Sequence, residues 1–344
     1  MNTIFKQRKA NSLACKQIII SLFVFLYLSS ISASTEGPLL EKAILPMAPN
    51  IVSVPSLPVT SKRTALLTVD EVCGKLARKL GSVRLNDCLG RGFVSTGGVS
   101  VNGMPIIEKE YGPLPNREPK AKVLLIGGIH GDEYSSVSLV FKWMKILDRN
   151  HSGLFHWKMV PVMNPDGLLR KKSQRMNENG VDLNRNFPTP NWHHESQKYW
   201  LKTSRNPRRY PGPSPLSEPE SQWLADYIVQ FQPDVIVSIH APYGILDFDG
   251  PRNAPKNFGH LHLNLLGTYP GSLGNYAGIT KQIPVITIEL PYAGIMPKRH
   301  EIRQIWIDLV SWLKKNTGEY RQQADQGNLP PDPTSSLVNN ESTM

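Results

Sequence analysis

The sequence predicts an α/β domain whose mixed, largely parallel central sheet is flanked by helices. Predominantly apolar runs occur at residues 123–126, 235–239 and 285–290, and runs of this kind are typical of strands buried on both faces. Segments with apolar residues at three- and four-residue spacing separate these runs, so strands and helices alternate along the chain. Residues 64–317 are of suitable length for a single domain of this class.

The first half of this region predicts helices and strands in turn. Residues 69–83 suit a short helix and residues 105–111 a strand. The run at 123–126 ends in two glycines, which indicates a buried strand that enters a tight loop. Another strand is expected over 158–163, and the Asn-Pro-Asp-Gly sequence after it is a strong turn signal. The helix between these two strands is marked by Val137, Val140, Met144 and Leu147.

The second half contains a long irregular stretch. Residues 168–219 hold seven prolines and many polar residues, and loops of this length inside a domain are usually functional. A helix is predicted over 219–230, and the strand at 235–239 is followed by a loop-rich stretch up to residue 278. After the last strand, a helix is predicted over 298–315 and a disordered tail over 318–344.

The first 33 residues have the pattern of an export signal. Four basic residues without an acid precede an apolar run at 18–28, and small residues follow it. This pattern predicts a signal peptide cleaved near Ala33 or Ser34, and therefore a periplasmic or secreted protein. The run is short for a membrane span, so we expect no stable anchor after cleavage; an uncleaved anchor is the alternative. Residues 34–63 hold five prolines and predict an extended lead-in.

Charge and cysteine content limit the other classes. The formal charge of +11 includes four positive charges in the signal, which leaves 11 − 4 = +7. A basic excess is compatible with nucleic-acid binding, but the basic residues are scattered and no motif accompanies them, so no nucleic-acid partner is expected. Beyond the signal the chain keeps only Cys73 and Cys88. In an oxidising compartment these predict one disulfide, with two buried free thiols as the alternative.

Four potential metal or proton ligands follow predicted strands. His130 and Glu133 come after the first apolar run, His240 after the second, and Glu289 at the end of the third. Because the carboxyl ends of parallel strands meet at one edge of a sheet, these side chains are expected to lie together. Two histidines and one glutamate form a catalytic zinc site with one open position, and a further acid nearby would act as a base.

Five motifs occur in order along the chain: His130-Gly131-Asp132-Glu133, Asn164-Pro165-Asp166-Gly167, Val181-Asp182-Leu183-Asn184-Arg185-Asn186-Phe187-Pro188, Ser238-Ile239-His240 and Thr287-Ile288-Glu289. In these motifs and their order, the chain resembles the zinc metallocarboxypeptidases of the carboxypeptidase A-like family over roughly residues 100–315. Two further stretches, His240-Ala241-Pro242-Tyr243-Gly244 and Tyr269-Pro270-Gly271-Ser272-Leu273-Gly274, resemble the bacterial murein peptide amidase branch. The resemblance implies the zinc carboxypeptidase fold.

The resemblance also implies the catalytic roles. His130, Glu133 and His240 match the ligands of a single zinc ion. Glu289 matches the family's general base, which later protonates the leaving amine. Arg175 matches the cation that stabilises the negative charge developing on the carbonyl oxygen.

The remaining roles concern the substrate and the support of the ligands. Asn184 and Arg185 match the pair that binds a terminal carboxylate, and a guanidinium suits that planar group. Asp182 matches an acid that orients a ligand imidazole. Tyr269 is the best match to the family's mobile tyrosine, with Tyr243 and Tyr276 as the alternatives.

The function implied is hydrolysis of an amide next to a free carboxylate. The bacterial motifs, the export signal and the basic charge favour peptidoglycan (murein) peptides, which are anionic and contain D-glutamate and a diamino acid. The alternatives are a carboxypeptidase for ordinary peptides and an N-acyl amino acid acylase of the desuccinylase and aspartoacylase group. A non-catalytic wall-binding module is a third alternative.

Overall fold

Seven strands of one mixed sheet organise residues 67–317, the part of the chain that the computed structural model describes. The predictions for 1–33, 34–63 and 318–344 lie outside the described residues. Within residues 67–317, no helix combines the length and the apolar character needed to cross a bilayer. The described strands are β1 (Val94–Val99), β2 (Pro105–Tyr111), β3 (Lys122–Ile126), β4 (His156–Val160), β5 (Val235–His240), β6 (Ile245–Asp249), β7 (Asn257–Phe258), β8 (Leu261–His262) and β9 (Val285–Glu289). Strands β7 and β8 form a separate two-stranded sheet.

Parallel strands form the centre of the large sheet. The spatial order is β1-β2-β4-β3-β5-β9-β6. Strands β4, β3, β5 and β9 run parallel, while β1, β2 and β6 add antiparallel pairs at the two sides. The described α-helices are α1 (Val69–Lys79), α2 (Leu85–Leu89), α3 (Tyr134–Asn150), α4 (Pro165–Leu169), α5 (Trp192–Lys202), α6 (Pro219–Phe231) and α7 (Arg299–Asn316).

Two apolar layers cover the two faces of the sheet. Because side chains alternate across a strand, Val123 and Leu125 of β3 join one layer while Leu124 and Ile126 join the other. Helices α1, α3 and α7 pack on the first face, and α6 packs on the second. The central strands are therefore buried on both sides, which explains their continuous apolar sequence.

The amino-terminal helices are joined covalently. Thr68 caps α1 by accepting a hydrogen bond from the backbone N–H of Glu71 at 3.2 Å, and the Glu71 carboxylate accepts one from the Thr68 backbone N–H at 2.7 Å. A disulfide links Cys73 in α1 to Cys88 in α2, and both cysteines are buried. The bond closes a loop with a sequence separation of 15, so it restricts the unfolded chain as well as the folded one.

The predicted α/β class with a mixed, largely parallel sheet is confirmed. The structure also has elements that were not predicted from the sequence, among them β1, β6 and α5. Strand β1 has the weak strand sequence Val-Ser-Thr-Gly-Gly-Val and lies at the edge of the sheet. Strand β6 follows a Pro-Tyr-Gly sequence that signals a turn, and two of its five residues are aspartates. In both strands, pairing with a neighbouring strand outweighs the local signals.

Candidate metal centre and catalytic cavity

The ends of three parallel strands bring the candidate metal ligands together. After β3, the chain turns at Gly128, which has a φ of +61°, and reaches His130; Glu133 directly precedes α3. His240 is the last residue of β5 and Glu289 the last of β9. These two residues are paired in the parallel register, so they lie side by side.

The three predicted ligands converge on one buried point. The Nδ1 atom of His130 lies 2.8 Å from Oε1 of Glu133 and 3.2 Å from Nδ1 of His240. The Nδ1 atom of His240 lies 3.3 Å from Oε2 of Glu133. Among residues 67–317 this is the one group of three or more His, Cys, Asp or Glu residues whose ligand atoms all lie within 4.8 Å of one another.

The outer ring nitrogens have separate partners that orient the two imidazoles. Asp182 Oδ1 lies 3.2 Å from Nε2 of His130, and the hydroxyl of Ser238 lies 2.9 Å from Nε2 of His240. The Nδ1 atoms therefore face each other. Asp182 therefore contacts the imidazole of a predicted ligand. Ser238 was not among the residues predicted from the sequence, although it belongs to the Ser-Ile-His motif. Its position two residues before His240, on the same face of β5, is the signal that could have identified it.

The donor set fits a zinc ion. Ligand atoms at tetrahedral positions about 2.0–2.1 Å from zinc are roughly 3.3 Å apart, close to the separations of 2.8–3.3 Å among the facing atoms. Burial raises the pKa of Glu133, but the two imidazoles outweigh burial and hold its pKa well below the usual range. The carboxylate is thus held in the ionised form that binds a metal.

Glu289 is a buried carboxylate with one oxygen that has no hydrogen-bond partner. Its Oε2 atom has no hydrogen-bond partner within residues 67–317, and the residue is 6% exposed. Burial, followed by the charge of Glu133, raises the pKa of Glu289 to about 8. A divalent cation at the neighbouring ligands would favour its ionised form. A carboxyl whose pKa is raised by burial and lowered by a nearby cation can both accept and release a proton near neutral pH.

Arg175 is held beside the ligands by the Asn-Pro-Asp-Gly turn and by Asp182. The side-chain amide of Asn164 donates to the backbone oxygens of Ile129 and Arg175, at 3.4 and 3.1 Å, so one residue connects both loops. Nε of Arg175 donates to Asp182 at 3.0 Å, and its Nη1 lies 3.2 Å from Nδ1 of His130. The guanidinium is consequently the cation nearest to the metal group.

Arg185 and Asn184 lie across the same cavity. The guanidinium of Arg185 packs over the rings of Tyr269 and Tyr199, at 4.6 and 5.3 Å from their centroids. Its Nε atom is buried and has no partner within residues 67–317. Oδ1 of Asn184 accepts from the backbone N–H of Leu273 at 2.8 Å, which leaves the amide N–H₂ as a donor. The Nε atom of Arg185 and the amide N–H₂ of Asn184 are therefore available to donate hydrogen bonds to an anion in the cavity.

The tyrosine alternatives differ in position. Tyr269 lines the cavity and stacks on Arg185, and Tyr243 also lines it with 60% of its surface exposed. Tyr276 is buried and stacks on Phe187 with an interplanar angle of 12°, outside the cavity lining. The geometry therefore leaves Tyr269 and Tyr243 as the tyrosines that can reach a ligand.

Most of the predicted site residues line one cavity of about 330 Å³. Asp182 lies behind His130 rather than at the surface of the cavity, and Cys73 and Cys88 belong to the distant α1–α2 pair. Side chains that sequence reasoning missed also line the cavity: Asp247, Asp249, Arg208 and Arg209. The predicted residues in its lining are His130, Glu133, Arg175, Asn184, Arg185, His240, Tyr269 and Glu289.

The fold and the site define a class of protein. A mixed sheet with two histidines and two glutamates at the ends of its parallel strands has the architecture of a zinc carboxypeptidase, and the zinc carboxypeptidase family model matches residues 92–246. The chain belongs to this family. Zinc is accordingly the metal assigned to His130, Glu133 and His240.

Curated relatives point to one branch of the family. The chain is 31% identical over 202 residues to murein peptide amidase A of Vibrio campbellii, and the matched stretch covers 56% of this chain and 77% of that protein. It is 35% identical over 160 residues to murein peptide amidase A of Escherichia coli K12, and the matched stretch covers 46% of this chain and 62% of that protein. The chain thus spans less than two thirds of the Escherichia coli relative that it matches.

Two solved structures are similar to this chain. Carboxypeptidase A from Helicoverpa armigera superposes with a TM-score of 0.53 at 20% identity and covers 70% of each chain. Murein-tripeptide amidase MpaA from Escherichia coli O157 superposes with a TM-score of 0.46 at 26% identity, covering 63% of this chain and 90% of that chain. The first of these likenesses supports the zinc carboxypeptidase fold.

Replacing Asp182 with Asn should weaken zinc binding about 10–100-fold, because Asp182 orients His130 and strengthens its donation. Zinc affinity is measured by competition with a chromogenic chelator. The matched control is Asp166→Asn, which alters another buried aspartate whose partner is the backbone N–H of Asn102. Zinc affinity equal to that of the unsubstituted protein would show that Asp182 does not support the metal centre.

Proposed function

We propose that this chain is a zinc-dependent peptidase or amidase that hydrolyses an amide bond next to a free C-terminal carboxylate. One observation carries the proposal: the metal ligands, the carboxylate of Glu289 with its unpartnered Oε2 atom, and the guanidinium of Arg185 line a single cavity. A substrate in that cavity can meet the metal group with its amide and Arg185 with its carboxylate. The wider protein family supports the same reaction class.

The residues around the metal group supply the acid–base chemistry. Zinc bound in such a site lowers the pKa of a water molecule and polarises a carbonyl group. Oε2 of Glu289 is free to take a proton from the attacking water and to return it to the nitrogen of the leaving amine. Arg175, beside His130, provides positive charge where the carbonyl oxygen becomes negative.

Two residues select the free carboxylate. Nε of Arg185 is a buried donor without a partner, and a guanidinium binds a carboxylate through parallel hydrogen bonds. The amide N–H₂ of Asn184 adds a donor, because its oxygen is already bound to the Leu273 backbone. Tyr269 and Tyr199 hold the guanidinium plane in place through their ring faces. Removing an unpaired donor of this kind should weaken binding more than it slows the bond-breaking step.

We further propose murein peptides as the substrate class. The relatives named murein peptide amidase A support this choice. The charge of the chain beyond residue 33, 11 − 4 = +7, favours anionic wall peptides. A substrate panel separates this proposal from the ordinary-peptide and N-acyl amino acid alternatives. The complete set of ligands and the unpartnered Oε2 atom of Glu289 argue against a non-catalytic wall-binding module.

We also propose that the chain is exported, which is compatible with a murein substrate. It rests on the pattern of residues 1–33, and a disulfide between Cys73 and Cys88 is typical of an oxidising compartment. Expression of the full chain in a bacterial host with a periplasm should give a protein that begins near residue 34 in the periplasmic or secreted fraction. Mass spectrometry of the intact protein measures this, and a cytosolic protein that retains residues 1–33 would contradict export.

Substituting Glu289 with Gln should reduce turnover by at least about 10²-fold while zinc content stays at one ion per chain, since Glu289 acts on protons and is not a ligand. Steady-state kinetics and metal analysis of the same preparation test both parts. Glu220→Gln is the matched control, because Glu220 is a fully buried glutamate that lies outside the cavity lining. Unchanged turnover in Glu289→Gln would refute the proposed proton carrier.

The zinc-loaded chain should release the terminal diamino acid portion of murein tripeptides and tetrapeptides faster than the C-terminal residue of ordinary L-peptides. Product release is followed by chromatography at equal substrate concentrations. Faster cleavage of L-peptides with aromatic or basic C-termini would contradict the murein assignment and support an ordinary carboxypeptidase. Activity confined to N-acyl amino acids would support the acylase alternative.

A further inference from the structure

Helix α1 lies against the loop that leads to Arg175. Its last residue, Lys79, is half-buried, and the Nζ atom donates to the backbone oxygens of Arg170 and Lys171 at 2.6 and 3.3 Å. Arg170 directly follows α4, and the last carbonyl groups of a helix have no partner within that helix. An ammonium has three donors, so one lysine can satisfy both oxygens. The carboxyl end of α4 is therefore held from outside the loop.

The same lysine also faces the residue that follows a metal ligand. The Nζ atom of Lys79 lies 5.7 Å from the centroid of the Tyr134 ring, and Tyr134 directly follows Glu133 in the chain. An ammonium is attracted to the face of an aromatic ring. One side chain thus contacts both the segment that follows Glu133 and the loop that leads to Arg175.

The α1–α2 pair keeps Lys79 in place against α3. The disulfide joins the two helices to each other. Between them, the backbone oxygen of Ser82 accepts a hydrogen bond from Nζ of Lys142 in α3 at 2.7 Å. After α2, Arg91 pairs with Asp148 of α3 at 3.3 Å. The helix that carries Lys79 is consequently attached to α3 by polar contacts on either side of α2 and by its covalent link to α2.

Only a short segment separates the contacts of Lys79 from Arg175. Lys171 and Arg175 are four positions apart in the sequence. Lys171 is exposed, and the chain is bound again at Gln174, whose backbone N–H donates to the backbone oxygen of Gly167 at 3.0 Å. A shift of the carboxyl end of α4 is thus passed to the backbone of Arg175 through a few peptide units.

The loop also packs directly on the loop that carries the metal ligands. A Cβ atom at Gly131, which directly follows His130, would lie 2.6 Å from the backbone oxygen of Gln174. The backbone N–H of Gly131 donates to the backbone oxygen of Arg175 at 3.3 Å. Because the two loops meet backbone to backbone, a small shift of one changes the position of the Arg175 guanidinium relative to the metal group.

We propose that Lys79 is a positioning residue, which holds Arg175 where its guanidinium can stabilise the negative charge on the carbonyl oxygen. The inference rests on the proposed function, and it gives the amino-terminal helix a part in catalysis. Among residues 67–317, Lys79 does not belong to the cavity lining. It acts on the reaction only through the loop that follows α4.

Replacing Lys79 with Met keeps the apolar stem of the side chain and removes the ammonium. With the substrate that the panel identifies, kcat should fall about 10-fold while KM changes little, because a displaced Arg175 stabilises the transition state less. Steady-state kinetics of the full zinc-loaded chain measure both constants. Lys79→Arg keeps donors for the two oxygens and should restore most of kcat. The matched control is Lys75→Met, one turn earlier on α1, which should leave kcat unchanged.

A double-mutant cycle separates positioning from a general loss of stability. In the Arg175→Ala background, Lys79→Met should cause no further fall in kcat, since its effect passes through the guanidinium of Arg175. An equal fall with and without that guanidinium would overturn the inference. An unchanged kcat in Lys79→Met alone would overturn it as well.

Hydrogen exchange supplies a measurement that does not depend on turnover. In Lys79→Met, mass spectrometry of peptides that cover residues 168–176 should show several-fold faster amide exchange than in the unsubstituted chain, because the loop opens more often. Lys75→Met should exchange at the unsubstituted rate. If no substrate of the panel is hydrolysed, the proposed function fails by itself and exchange decides the inference. Faster exchange over 168–176 supports it, and unchanged exchange overturns it.

Discussion

The parallel register of β3, β5 and β9 is the constraint on which the rest of the site depends. It places His240 beside Glu289, and it brings the loop that carries His130 and Glu133 to the same edge of the sheet. A slip of one residue would turn His240 or Glu289 to the other face of the sheet. The register is maintained by two apolar layers that each strand must fill on both sides. Core packing therefore fixes the geometry of the metal centre.

Charge balance is the second constraint. Burial disfavours each carboxylate of the site, yet Glu133 has two imidazoles beside it and Asp182 has Arg175 and His130. Both carboxylates keep pKa values below the usual range because these partners outweigh burial. Asp249 has no such partner, and its pKa moves in the opposite direction. The same balance thus separates carboxylates that have a cationic partner from one that has a neighbouring carboxylate instead.

Much of the fold and the site could be predicted because the informative elements are local. Buried parallel strands are continuous apolar runs, and the candidate ligands come directly after them. Strand β6 could not be predicted in this way. Its sequence Ile-Leu-Asp-Phe-Asp follows turn residues, and it becomes a strand through pairing with β9. Ser238 was missed for a related reason: its hydroxyl gains a partner only when the ring of His240 is oriented by the rest of the site.

The sequence by itself determined the α/β class, the carboxyl ends of β3, β5 and β9 to within one residue, and the residue types of a zinc site, since each depends on neighbours in the chain. Only the tertiary structure decided which ring nitrogens face each other, which carboxylates have partners and which side chains share a cavity. Asp247 and Asp249 illustrate the difference. In the sequence they are two acids in a stretch predicted as loop, and in the structure both line the cavity. Burial and the absence of a partner in the described part of the chain are properties of packing, and no local pattern encodes them.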